Sequence, residues 1–200
     1  MGKLIFTPEN HSYTFDGMKV PCISNILKEE GFYKFDKIPT NVLEKARARG
    51  TAVHKGTHLI DLGTIDWDTV HPIILPYLNA WIDFKKKYNV KINTAEEPMM
   101  STKYWFTGTA DRPDAIVRGE KSIIEIKCTF EIAPTTALQT AAQSILEEER
   151  SGVKPLKRYC CQLKKDGKFA VEPFEDAKDE SIFLGALRNY HWKLKKGVIK

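Results

Sequence analysis

Short runs in which apolar and polar side chains alternate open the chain: Leu4-Ile5-Phe6, Ser12-Tyr13-Thr14-Phe15 and Met18-Lys19-Val20. Asp16-Gly17 supplies a turn between the last two, so the pattern predicts a small antiparallel sheet serving as a lid or brace. From Asn41 the period lengthens to that of a helix. Asn41 and Glu44 have the spacing of a capping box, and a helix is expected through Leu43 and Ala46, interrupted at Gly50 and ending near Gly63. The next helix, Pro72 to Tyr88, sets Ile73, Ile74, Tyr77, Leu78, Trp81 and Phe84 on one stripe, an aromatic face suited to a core rather than to stacking on bases.

Strand-like Val90-Lys91-Ile92 and Pro98-Met99-Met100-Ser101 lead to Tyr104-Trp105-Phe106. Ala115-Ile116-Val117 and Ser122-Ile123-Ile124 then flank Arg118-Gly119-Glu120-Lys121, a hairpin connection in which Gly makes the turn. After Pro134, Leu138, Ala141, Ala142, Ile145 and Leu146 recur at helical spacing up to Arg150, with Gly152 as the stop. Gln139 and Gln143 lie one turn apart beside that stripe. Lys157 to Leu163 and Lys168 to Phe174 form a second hairpin, and a last helix uses Ile182, Phe183, Ala186, Leu187, Tyr190 and Leu194. No repeat, low-complexity stretch or linker interrupts the order. It reads as α+β around one central mixed sheet flanked by helices, a single domain over 1–200 with 1–30 as a lead-in hairpin and helix.

Composition fits that picture: 200 residues with 42% hydrophobic content can build one core without disulfide staples. A net charge of +5 permits a polyanionic partner without requiring one, and the short lysine clusters Lys85-Lys86-Lys87, Lys164-Lys165 and Lys193 with Lys195-Lys196 read first as solvated faces. Cys22, Cys128, Cys160 and Cys161 lack zinc-finger or C-x-x-C spacing, and neighbouring Cys160-Cys161 makes a poor disulfide, so reduced thiols are expected. No run is long enough to span a bilayer, and the N-terminus has no signal-peptide core. A cytoplasmic protein without membrane attachment is the expectation.

The chemistry concentrates in the central hairpin. Along a strand, Glu125 and Lys127 project from one side while Ile124 and Ile126 enter the core on the other. The hairpin can bring Asp111, in Gly108-Thr109-Ala110-Asp111, beside Glu125. Two neighbouring carboxylates repel one another unless a cation sits between them and Lys127 offsets the remainder, so the set suits a divalent ion and a water steered onto a phosphodiester. Asp114 is the alternative first acid; Asp111 and Asp114 have opposite strand parity, so without a bulge only one of them faces Glu125. His54 and His58 could mimic a zinc pair, but no further ligand follows at suitable spacing.

Arg49-Gly50-Thr51-Ala52-Val53-His54, Gly108-Thr109-Ala110-Asp111, Glu125-Ile126-Lys127 and Gln139 stand in an order that resembles the PD-(D/E)xK nuclease superfamily, in its RecB-like branch. That branch includes phage recombination exonucleases, the mitochondrial genome maintenance exonuclease and CRISPR-associated adaptation nucleases; the likeness runs from about Thr40 to the C-terminus. It implies a restriction-endonuclease-like fold with Asp111, Glu125 and Lys127 as catalytic residues. His54, Asp111, Glu125 and the Ile126 carbonyl would be ligands of Mg²⁺ or Mn²⁺, and Gln139 would contact DNA through a phosphate oxygen or hold the region of the Lys127 carbonyl. Gln143 occupies the place where the branch carries a tyrosine, and Glu96 resembles an acid of open role ahead of the hairpin. The cysteine pattern does not match the iron–sulfur-binding relatives, so no cluster is expected. The implied activity is a metal-dependent DNA exonuclease leaving 5′-phosphate ends in phage-type recombination, replication or repair. Arg49, Arg112 and Arg158 are then candidates for phosphate contact. DNA is the implied partner, a single-strand annealing or recombination protein a second one, and an oligomer is compatible; a phage-encoded chain would act in the host cytoplasm. The alternatives are a non-catalytic DNA-binding module on a nuclease fold and a structure-specific endonuclease.

Overall fold

The computed structural model describes residues 2–33 and 39–199. Its organising strand is β8 (Glu120–Lys127), in which Ile123, Ile124 and Ile126 are all fully buried. A strand covered on both faces needs apolar side chains of both parities, and β8 has them until it reaches Glu125. It lies third in a five-stranded sheet of order β10-β9-β8-β7-β4, with β4 (Lys91–Thr94), β7 (Arg112–Val117), β9 (Lys157–Leu163) and β10 (Phe169–Pro173). β7 and β8 are antiparallel across Arg118-Gly119, whose φ values of 51° and 92° give the two-residue turn that matches strand twist. Glu120 and Lys121, expected in the connection, therefore already belong to β8. β9 runs parallel to β8, reached through helix α4 (Thr135–Ser151), and this pairing makes the sheet mixed.

Helix α3 (Leu75–Tyr88) covers one face of the sheet. Tyr77, Leu78, Trp81 and Phe84 pack there with Ala115, Val117, Ile124, Ile126 and Leu163. Ile73 departs from the expected stripe: it lies in the turn before the helix begins and is exposed. The other face takes α4, backed by α1 (Ile23–Glu29) and α5 (Lys178–Lys195) in a second cluster that includes Ile26, Leu27, Leu138, Ala142, Leu146, Phe183 and Leu187.

The expected central sheet and the expected lead-in sheet are both present, and a third, two-stranded ladder stands apart from them. β1 (Leu4–Thr7), β2 (Ser12–Phe15) and β3 (Met18–Val20) form their own antiparallel sheet, and β5 (Pro98–Ser101) pairs with β6 (Phe106–Thr109) in a two-stranded one. The lead-in sheet braces that ladder: the Tyr13 and Thr109 hydroxyls are 2.9 Å apart, and Phe15 meets Trp105 edge to face.

Helix α2 (Thr40–Leu62) corrects two further expectations. It passes through Gly50 unbroken, because one helical glycine costs only about 1 kcal/mol against alanine. Its N-cap is Pro39, and Asn41 Oδ1 accepts from the adjacent Val42 amide instead of forming a capping box. The stops are as expected: Gly63 and Gly152 take left-handed conformations behind α2 and α4. Among the described residues, no helix is long and apolar enough to cross a membrane.

Candidate active site

Where β8 ends, its outward face carries Glu125 and Lys127 directly onto α4. The Lys127 ammonium donates to Glu125 Oε1 at 2.7 Å and to Gln139 Oε1 at 3.2 Å, while Gln139 Nε2 donates to the same Glu125 oxygen at 2.7 Å. One helical turn on, Gln143 Nε2 donates to Glu125 Oε2 at 2.7 Å. A buried carboxylate is tolerable only with such partners, and Glu125, 3% exposed, has three. Gln143 therefore has a definite position, bracing the acid from inside the helix.

Asp111 arrives from the other side of β8. It precedes β7, where the ladder is irregular between Arg112 and Ala115, and its Oδ2 accepts from the Ile126 amide at 2.7 Å. Its Oδ1 lies 3.0 Å from His54 Nδ1, presented by α2. Asp114 turns instead toward β4, accepting from Asn93 at 3.3 Å, so Asp111 is the acid beside the Glu125-Ile126-Lys127 segment. A strand residue sends its N–H and C=O to the same edge, so the Ile126 carbonyl faces the Asp111 side as well.

The charges on this cluster are set by one another. Burial works against the Lys127 ammonium, but Glu125 and Asp111 outweigh it and hold the group above the ordinary lysine range. So held, it stands in the structure as a charged hydrogen-bond donor to Glu125 and Gln139. Asp111 raises the His54 imidazole above its usual value against the opposing effect of burial. Burial pushes the Asp111 carboxyl up, yet His54, Lys127 and the Ile126 amide together bring it below the usual range. The phenol of Tyr33 is pushed up mainly by burial and also senses Lys127 and Glu125, which places it within electrostatic reach of the cluster. Sequence reading missed Tyr33. It lies far from the hairpin along the chain, and no periodic signal distinguishes it.

The arginines expected at phosphate fare differently. Arg112 is corrected to an internal strut: it is fully buried, donating from Nε to Asp61 Oδ2 at 2.6 Å, from Nη1 to the Asp111 carbonyl at 2.7 Å and from Nη2 to Thr57 Oγ1 at 3.1 Å. Arg158 is likewise committed within the protein, to the carbonyls of Ala137 and Asp176 and to Asp179 Oδ2 at 2.8 Å. Arg49 keeps a looser position, with one 3.4 Å bond to the Cys128 carbonyl. Glu96 touches the site through its backbone, donating to the Asp111 carbonyl at 3.1 Å from a left-handed conformation, and its carboxylate stands 3.8 Å from Arg112. His58 lines a neighbouring cleft with Asp61 and Glu96.

Among the described residues, no group of three His, Cys, Asp or Glu side chains is arranged as a cage for a metal ion. The donors nonetheless fit a small hard cation in kind, with two carboxylates, a backbone carbonyl and one imidazole near one strand end. Each carboxylate oxygen of Asp111 and Glu125 already has a protein partner, so an ion would have to replace some of these contacts, with that between His54 and Asp111 the most exposed.

No protein-family model and no curated protein matches the chain. Among solved structures, the chain is similar to a protein from Eubacterium rectale provisionally named an exonuclease, with 11% identity, a TM-score of 0.50 and coverage of 91% of this chain and 77% of that one. SSO0001 matches at 18% identity over 84% of this chain and 82% of that one, with a TM-score of 0.36, too low to bear on the fold. At such identities the likeness to the Eubacterium rectale protein concerns the fold, and the α+β architecture around a mixed central sheet is one the two share.

Proposed function

We propose that the chain is a Mg²⁺- or Mn²⁺-dependent DNA exonuclease of the PD-(D/E)xK type, RecB-like branch, hydrolysing phosphodiesters by direct attack of water and leaving 5′-phosphates. One observation carries the reading: Lys127, Glu125 and Gln139 are bonded to one another while Asp111, on the Ile126 amide, flanks them with His54. These residues come from two strand ends and two helices, and a solvated strand face would not need them gathered. The name of the Eubacterium rectale protein agrees with the reading.

Asp111, Glu125, His54 and the Ile126 carbonyl would hold the ion, which when bound polarises the phosphate and lowers the pKa of water. Lys127, kept charged by its acid neighbours, donates to the phosphate oxygens as charge develops there and fixes the water by hydrogen bonding. Gln139 and Gln143 hold the Glu125 carboxylate so that it does not rotate. A non-catalytic DNA-binding module is the second reading, favoured by the full engagement of both carboxylates within the protein.

A time course on end-labelled linear DNA, single- and double-stranded, with Mg²⁺, Mn²⁺ or chelator, separates the two. Release of nucleotides only with metal supports the exonuclease, and binding without cleavage supports the module. Cutting of covalently closed circles would make the enzyme an endonuclease.

A further inference from the structure

Beside the Lys127 end of the site lies a cleft of about 470 Å³, inside the range of roughly 300–1,000 Å³ common for ligand pockets. Its walls come from α2, α3, the loop after β8 and the β9–β10 turn. Arg49, Lys164 and Lys165 line it against the single acid Asp166. Asp166 is partly occupied already, accepting from the Lys168 amide at 3.1 Å. Lys164 and Lys165 are exposed and have no ion-pair partner among the described residues. The Arg49 guanidinium leans toward the Tyr77 ring at 6.0 Å, and its Nε is buried without a hydrogen-bond partner. A buried donor left unsatisfied is unfavourable, so the Arg49 guanidinium keeps hydrogen-bonding capacity that the protein does not use.

At the rim stands Phe130, 94% exposed. An exposed phenylalanine on a loose loop would mean little, but this loop is tied down. Gln162 Nε2 donates to both the Thr129 and Phe130 carbonyls, at 2.9 and 2.8 Å, and Thr129 Oγ1 donates to the Glu131 carbonyl at 2.7 Å. Gln162 is itself buried and sits opposite Lys127 in the parallel β8·β9 register. The same strand pair thus holds the candidate catalytic lysine and, three residues later, the anchored backbone of a solvent-exposed phenylalanine.

We infer that this cleft binds a single-stranded segment of the substrate, with a nucleobase stacked on Phe130 and adjoining phosphates held by Arg49, Lys164 and Lys165. The inference rests on the nuclease reading for the identity of the polyanion and extends it to the path of the strand. Three cations with an exposed aromatic face are the combination that single strands require: phosphates pair with the cations and every base offers a π-face. A duplex would keep its bases stacked on one another and unavailable to Phe130. The β9–β10 turn is therefore a substrate contact, where its lysines alone would read as a solvated surface.

The test compares binding of a labelled oligothymidylate, about twelve nucleotides long, with that of an abasic strand of the same length and charge, both in chelator so that no cleavage intervenes. Phe130→Ala should weaken oligothymidylate binding roughly 5- to 150-fold and leave the abasic strand unchanged, while Phe130→Trp retains tight binding. Lys164→Ala with Lys165→Ala should weaken both strands and flatten the salt dependence of binding by about 1.4 in log–log slope. Unfolding midpoints close to wild type in each variant exclude misfolding, as expected for side chains in solvent. Phe130→Ala binding both strands like wild type, or losing both equally, overturns the inference. If wild type cleaves linear DNA with metal and Phe130→Ala is indifferent, only the strand path is wrong. If wild type shows the base-dependent binding but no cleavage, the strand path stands and the hydrolytic reading falls. If wild type neither binds nor cleaves, both fall.

Discussion

Replacing Arg112 by methionine tests whether the site rests on a buried strut. The guanidinium has no solvent exposure, spans Asp61, Thr57 and the Asp111 carbonyl, and lies 5.3 Å from the Trp81 ring centre. Asp61 is only 3% exposed; without Arg112 it keeps Lys85 and the Trp81 indole on Oδ1 but loses the partner of Oδ2, the sole one among the described residues. Breaking one side of a buried ion pair costs about 3–5 kcal/mol, since the remaining charge loses its compensation. In a chain of this size each kcal/mol shifts the melting temperature by about 2–4 °C, so Arg112→Met should melt roughly 6–20 °C below wild type. Urea unfolding followed by circular dichroism gives the free energy directly. On the nuclease reading, activity should fall as well, because the Asp111 carbonyl loses one of its two donors and keeps only the Glu96 amide, but the stability loss is the distinguishing sign. A variant within about 0.5 kcal/mol of wild type, near the scatter of ordinary surface substitutions, would refute the strut, especially if DNA binding alone weakened.

The pair formed by His54 and Asp111 gives stability a definite pH signature. The raised imidazole contributes fully below its unfolded pKa of about 6.5 and loses that contribution as pH rises through the folded value; the lowered carboxyl contributes above about 3.9 and loses it as pH falls through its folded value. In chelator, the melting-temperature difference between wild type and His54→Gln should therefore be largest between about pH 4 and 6.5 and shrink on both sides; a flat difference contradicts the pair. Gln143→Leu leaves Glu125 Oε2 buried without its donor and should cost about 1–3 kcal/mol in denaturant unfolding, whereas a solvent-facing glutamine would cost nothing measurable. Gly119→Ala forces a side chain into φ 92° in the turn joining β7 to β8 and should destabilise by more than about 1 kcal/mol in the same assay.

Local pattern made much of this architecture legible. The alternation around Gly119 foretells the hairpin, the α3 stripe foretells a core face, and the parity of Glu125 and Lys127 puts them on one side of β8. These signals depend on neighbours within a few residues. What escaped depends on distant ones. The role of Arg112 is fixed by Asp61 and Thr57 on α2, and nothing near it in sequence separates a strut from a phosphate contact. Asp111 and Asp114 differ through a ladder irregularity whose position side-chain parity does not reveal. Gln143 is readable as a helical neighbour of Gln139, but its hold on Glu125 appears only once α4 lies under β8. Gly50 misled because a modest propensity cost was read as a break, and the separation of the β5–β6 ladder from the central sheet is a matter of long-range pairing. Tyr33 packs against the α1–α4–α5 core, and its nearness to the charges of Lys127 and Glu125 is likewise set by the fold.

The measurement closest to the central claim is single-turnover cleavage of end-labelled linear DNA in Mg²⁺ by wild type and by Lys127→Ala, each shown to be folded. If Lys127 stabilises charge on the phosphate as its contacts with Glu125 and Gln139 suggest, losing this donor should slow cleavage by about 10²–10³-fold with little change in DNA affinity. Cleavage by Lys127→Ala at the wild-type rate would contradict the account.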